Sequence, residues 1–445
     1  MEGDDILSRA RAVLRANDAG AFTRPSPRQY PHQWNWDSAF IALGLSYFDR
    51  PRALQEIRSL LRGQWRDGML PHVVYHDGPS QYFPGPDFWQ IERSPNAPAL
   101  ATSGLTQPPI LASILRRIHA QAPIPAFLRE AYPALFRWHR WLHQARDPDG
   151  SGLVFLVHPW ESGTDDSPRW LEALARITPA GLPPFRRRDT VHVAAAERPR
   201  DADYERFVHL IDVFRRHRYD PTALAVHSPF LVLDVLFNAV LHRADRDLRA
   251  LAIELGQPIE EIDSWLARCS ARFGLRFWNE ARGRYCDYDL RAGAPVAANT
   301  AATFMPLYAG LSDARQARRL IEEHWLNPAE YAPDDTLRFR LTTTSKAEPA
   351  WEARRYWRGP VWIVLNWMLT QGLRRYGYRG AAEELRRDTL TLIARSGFRE
   401  YYDPRDGSGC GSDDFSWSAA LAIDLLLGDG LDDERPGRLR SDGLS

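Results

Sequence analysis

Phe230-Leu-Val-Leu-Asp-Val-Leu-Phe-Asn-Ala-Val-Leu241 is apolar almost all round the helical wheel, and a helix of that kind is buried on every side. Other helices must enclose it. They are present along most of the chain: Leu128, Ala131, Tyr132, Leu135, His139 and Leu142 share one face of 128–142, and Phe207, Leu210, Ile211 and Phe214 repeat at helical spacing in 203–217. The same pattern marks 5–17, 37–47, 51–66, 108–121, 125–145, 229–244, 246–254, 258–280, 311–324, 360–376, 380–395 and 416–428. Strand-like alternation is confined to short runs such as 152–157. The chain therefore reads as all-α. Without a visible repeat of solenoid length, the expected layout is one of alternating inner and outer helices, with 230–241 and 360–370 inside.

No break in composition marks a second domain, so 1–428 reads as a single unit. The irregular stretch 174–202 reads as a lid or insertion, and the polar tail 429–445 as disordered. Lys plus Arg and Asp plus Glu each total 57, which gives no reason to expect a nucleic acid or an anionic membrane as partner. No run of 18 apolar residues spans a membrane, and the N-terminus has no export signal. Cys269, Cys286 and Cys410 have no metal-ligand spacing and an odd count, which fits a reducing cytoplasm. No metal or cofactor is expected. Oligomeric state stays open, homo-oligomers included.

Function is to be sought in the long loops 67–107, 158–200, 325–359 and 397–415, because a rigid scaffold commonly delegates chemistry to its loops. The chain holds 16 Trp, 16 Tyr and 19 Phe, and many of the tryptophans stand beside Gly, Pro, Asp or Glu. An indole there can stack on the C–H face of a sugar as well as on a core. In Tyr30-Pro-His-Gln-Trp34-Asn-Trp36-Asp37, Asp37 reads equally as a helix cap and as an acceptor for sugar hydroxyls between two indoles. His72 follows Pro71 in a loop, and Gln107 precedes Pro108 and Pro109, where Thr106 or Gln107 could cap a helix or meet a ligand.

The most informative stretch is His158-Pro-Trp160-Glu161-Ser-Gly163-Thr-Asp165-Asp166-Ser-Pro-Arg-Trp170. Three carboxylates within six residues repel one another, which raises the pKa of at least one and suits a general acid working near neutrality. A solvated acidic turn is the plain alternative, and Trp160 and Trp170 count against it. Arg355-Tyr356-Trp357-Arg-Gly-Pro-Val-Trp362 forms another aromatic loop, and Glu400-Tyr-Tyr-Asp-Pro404 offers a candidate base. Asp147-Pro-Asp-Gly-Ser-Gly152 reads as a tight turn, since it lacks the last glutamate of a calcium loop.

Together, 32–37, 102–109, 160–170, 356–362 and 400–404 resemble glycoside hydrolase family 63, most closely its bacterial mannosylglycerate and glucosylglycerate hydrolases, over roughly residues 8–428. The resemblance implies an (α/α)6 barrel with long rim loops and an inverting α-glycosidase that cleaves a small glycosylated acid to free sugar and glycerate. It makes Asp165 the general acid and Glu400 the general base. Trp34, Trp36 and Asp37 line the sugar subsite, with Tyr356, Trp357 and Trp362 completing its wall and Trp160 and Gly163 in the acid motif beside it. Tyr30, Tyr82, Gln107, Arg198 and Tyr204 match the residues around the glycerate; His72 stands beside them as a substrate-binding candidate from its loop position alone, with a structural role the equal alternative. Phe415 departs from the glutamine of the glucosylglycerate enzymes, leaving mannose or glucose open. The alternatives are hydrolysis of other α-linked disaccharides or glycan fragments, a sugar epimerase using His72, His158 or His192, and a sugar-binding protein without activity.

Overall fold

The computed structural model describes residues 2–76 and 82–428, so the expected disordered tail lies outside the described residues. Most of the structure is helical. The longer helices are α1 (Glu2–Ala16), α2 (Asn35–Ser46), α3 (Arg50–Leu61), α4 (Leu111–Gln121), α5 (Pro125–Ala145), α6 (Asp201–Arg216), α7 (Val235–Glu254) and α8 (Glu260–Phe277). They continue with α10 (Ile363–Arg375), α11 (Arg379–Ser396) and α12 (Ser416–Leu427), and the five-residue α9 (Met305–Ala309) precedes these three. No helix among the described residues is long and apolar enough to cross a membrane.

Six helices touch in a cycle: α2 packs on α4, α4 on α7, α7 on α9, α9 on α10, α10 on α12, and α12 back on α2. A second set leans on the outside of these, with α1 against α12, α3 against α2, α5 against α4 and α7, α8 against α7, and α11 against α10. Burial follows the division. All twelve residues of α2 are buried, whereas α3 buries only Ala53, Glu56, Ile57, Ser59 and Leu60. Close approach is built into α2 and α12, where a Cβ on Gly44 would stand 2.5 Å from the Cα of Ala420.

Local signals place the helix ends. Asp234 accepts from the amides of Leu236 and Phe237 and so caps α7. That corrects the expected pair of helices 229–244 and 246–254: one helix begins at Val235, and Val232–Leu233 before it is a strand. Pro125 opens α5, where its missing N–H costs nothing. The strands are two-residue ladders, β1 (Gln33–Trp34) on β2 (Val73–Val74) and β3 (Phe155–Leu156) on β4 (Val232–Leu233) among them. β5 (Tyr401–Tyr402) pairs with Gly409–Cys410. Each tethers the loop that follows or precedes a cycle helix.

Candidate active site

Three neighbouring cycle helices present their N-terminal ends to one cleft. Trp34 is the residue before α2, Trp362 the one before α10 and Phe415 the one before α12, and all three line the cleft. Every site residue expected from the sequence lies on this cleft: Tyr30, Trp34, Trp36, Asp37, His72, Tyr82, Gln107, Trp160, Gly163, Asp165, Arg198, Tyr204, Tyr356, Trp357, Trp362 and Glu400.

Asp165 and Glu400 occupy contrasting surroundings. Asp165 accepts one hydrogen bond, from the Tyr356 hydroxyl at 3.3 Å. Burial pushes its carboxyl up to about 7, against the pull of Arg198 and of that hydroxyl, with Asp166 and Glu400 adding smaller upward pushes. The crowding expected among Glu161, Asp165 and Asp166 is therefore a minor cause. Glu161 is paired with Arg146 at 2.6 Å, and Asp166 takes two hydrogen bonds from Arg358 at 3.0 and 2.8 Å, leaving Asp165 as the acid of the three without an arginine bonded to it.

Glu400, 1% exposed, is met by donors on both oxygens. Tyr30 Oη donates to Oε1 at 2.7 Å, Arg198 Nη1 lies 3.1 and 3.3 Å from the two oxygens, and the Ser412 amide donates to Oε2 at 3.0 Å. Several donors converging on one carboxylate match its acceptor-only ionised form. Arg198 also donates to the Tyr30 hydroxyl at 2.5 Å and lies over the Tyr356 ring at 4.2 Å. Tyr356 and Arg198 thus link the two carboxyl groups through a continuous set of contacts. Both carboxyls also bear on Asp37, whose own carboxyl burial raises well above its ordinary range.

The walls are aromatic. Trp357 and Trp362 stack at 3.7 Å between ring centres, and Trp362 stacks in turn on Tyr401 at 4.7 Å. Trp36 meets Trp417 edge to face at 5.3 Å. Gly163 is required beside it: its φ is +71°, and a Cβ there would come within 2.6 Å of the Trp36 ring. Asp37 is not a helix cap. It stands in the first turn of α2, where Trp34 holds the cap position without a side-chain bond, freeing the carboxylate for the cleft. Gln107 does not cap α4 either, because its Oε1 accepts from the Trp36 amide at 3.3 Å, and Thr106 donates to the Leu70 carbonyl. His72 has Nδ1 bonded to Ser103 Oγ at 2.6 Å, and burial holds its pKa well below the usual histidine range.

Sequence reasoning missed Tyr75, Pro84, Asp189, Pro199, Phe415 and Trp417 as cleft residues. Phe415 and Trp417 stand in Gly411-Ser-Asp-Asp-Phe415-Ser-Trp417, a loop stretch with the same mix of aromatic and acidic residues as the others, and could have been found from it. Asp189 follows Arg186, Arg187 and Arg188, a run that reads as solvated charge. Among the described residues no group of three or more His, Cys, Asp or Glu is arranged to hold a metal ion.

The chain is similar along nearly its whole length to proteins of known activity. A family model described as mannosylglycerate hydrolase MGH1-like glycoside hydrolase domain matches residues 30–418. Mannosylglycerate hydrolase of Thermus thermophilus is 47% identical over 423 residues, 93% of this chain and 99% of its own. Glucosylglycerate hydrolase of Mycolicibacterium hassiacum is 36% identical over 437 residues, 95% of this chain and 97% of its own. Among solved structures, a GH63 mannosylglycerate hydrolase from Thermus thermophilus in complex with Tris and D-glycerate superposes with a TM-score of 0.88 at 45% identity, covering 94% of this chain and 99% of that one.

Proposed function

Since the chain belongs to the mannosylglycerate hydrolase MGH1-like family of glycoside hydrolases, we propose that it cleaves 2-O-α-mannosyl-D-glycerate or 2-O-α-glucosyl-D-glycerate to free sugar and D-glycerate, with inversion at the anomeric carbon. The observation that carries this reading is the unlike pair on one cleft. Asp165, pushed up to about 7, keeps a substantial protonated fraction, about half, near neutral pH and serves as the general acid on the leaving oxygen. Glu400, held by Tyr30, Arg198 and Ser412, serves as the base that takes a proton from water on the opposite ring face. Trp34, Trp36, Asp37, Trp357 and Trp362 form the sugar subsite. Tyr82, Gln107, Arg198 and Tyr204 take the glycerate, whose carboxylate suits the guanidinium fork. His72 packs against Trp160, which shapes this wall. An epimerase resting on His72 is disfavoured, because that ring is committed to Ser103 and held neutral.

The architecture in this reading is an (α/α)6 barrel formed by one domain over 1–428. The cyclic contacts of α2, α4, α7, α9, α10 and α12, with the other long helices outside, support it. The segment 174–202 acts as a lid, supported by Asp189 and Arg198 reaching the cleft from it. A cytoplasmic setting is consistent with the three free, buried cysteines.

Asp165→Ala is expected to keep the wild-type unfolding profile and Glu400→Ala, which leaves the buried Arg198 without its partner, to fold at lower stability; each is expected to lose hydrolysis by at least about 10²–10⁴-fold. Proton NMR of the freshly released sugar is expected to show the β-anomer first. Full activity in either variant, or an α-anomer as first product, sinks the assignment.

A further inference from the structure

Within the aglycone corner of the cleft stands a carboxylate that a purely anion-binding subsite would exclude. Asp189 lines the cleft with Tyr82, Arg198 and Tyr204. Arg187 grips it with two hydrogen bonds, Nε to Oδ1 at 3.0 Å and Nη2 to Oδ2 at 2.6 Å, while Arg198 Nε stands 3.7 Å from Oδ2. The Gln29 side chain donates to the Asp189 carbonyl at 3.0 Å, so its backbone is anchored too. Arg187 is itself fixed, bonded to Asp201 at 2.7 Å and lying over the Tyr204 ring at 4.3 Å.

The charges explain why an acid is tolerable here. Arg187 neutralises Asp189, so the acid adds no net negative charge beside Arg198. The geometry also leaves Asp189 unused acceptor capacity, since two oxygens offer about four lone-pair positions and Arg187 takes two. What an acceptor beside a carboxylate receptor can recognise is a hydroxyl on the same small molecule. Glycerate linked through O2 keeps one such group, the hydroxyl on C3.

We propose that Asp189 is a specificity-determining residue that accepts a hydrogen bond from the C3 hydroxyl of the aglycone, so that the site selects glycosylated hydroxy acids over the corresponding plain acids. The inference rests on the glycosylated-acid reading above and adds a demand for the second functional group. A subsite built to bond a hydroxyl penalises an analogue lacking it, because the acceptor is then buried without its partner.

The experiment compares 2-O-α-mannosyl-D-glycerate with 2-O-α-mannosyl-D-lactate, which differ only in that hydroxyl. The wild-type enzyme is expected to favour the glycerate compound in kcat/KM on the order of 10–100-fold. In Asp189→Ala the ratio is expected to collapse towards one. Asp189→Asn, which keeps a carbonyl oxygen, is expected to lie between, and it replaces the alanine variant should that fail to fold. A merely structural role would lower kcat/KM for both substrates and leave the ratio intact, and that result overturns the proposal. So does a wild-type ratio near one. If the wild type hydrolyses neither compound, the underlying glycosylated-acid reading fails, and the inference falls with it.

Discussion

At the residue scale, the Tyr356 hydroxyl is the acid's hydrogen-bond partner and, after Arg198, the next pull on its pKa. It donates to Asp165, and a donor to a carboxylate favours the ionised form, so it holds the pKa below what burial alone would set. A general acid works only while protonated; activity therefore falls as pH rises through about 7. Tyr356→Phe removes the donor, the pKa rises, and the alkaline limb of the kcat profile is expected to move to higher pH by about half to one unit. An unmoved limb would separate Asp165 from that limb. Legibility at this scale was high for chemistry-bearing loops and low for shared charge. Asp165 was marked by its neighbours, although burial raises its pKa more than they do. Glu400 was one carboxylate among many until the family resemblance selected it, because its distinguishing partners, Tyr30 and Arg198, come from 370 and 202 residues away.

Between elements, Arg358 ties three of them together. Its guanidinium bonds Asp166 in the acid loop at 3.0 and 2.8 Å and Asp203 in α6 at 3.0 Å, from the loop that enters α10. All three side chains are buried. Arg358→Met strands the Asp166 carboxylate in the interior, while Asp203 keeps Arg206, and is expected to cost about 3–5 kcal/mol, read as a lower urea midpoint. It also loosens the loop that positions Asp165, so kcat should fall with stability. Helix periods were legible in the sequence because cycle helices are apolar on several faces and outer ones on one. The predicted 125–145 coincides with α5. Elements of a few residues were not, α9 and the paired strands above all: five residues complete barely one helical turn, and a two-residue ladder has no period to detect.

For the whole molecule, the first and last of the described helices meet. α1 packs on α12 and buries Ile6, Ala10, Val13 and Leu14, so the first helix seals the last. Each large apolar side chain buried there is worth about 1.5–3 kcal/mol. Removing residues 1–16 is expected to cost at least ~5 kcal/mol, a large share of a typical domain's stability. The truncated chain should bind a hydrophobic dye and unfold at markedly lower urea; unchanged unfolding would show that the cycle holds without its seal. That such distant segments close on each other was not readable from local pattern, since nothing in the helical wheel of 5–17 names its partner.

The aromatic walls have an optical consequence. Six of the 16 tryptophans, Trp34, Trp36, Trp160, Trp357, Trp362 and Trp417, face the cleft, two of them with rings nearly parallel at 3.7 Å. Indole emission shifts with the polarity and quenchers around it, so a sugar or an acid entering the cleft alters the protein's own fluorescence. The molecule carries its binding reporter in its walls, and occupancy can be followed by light without a label.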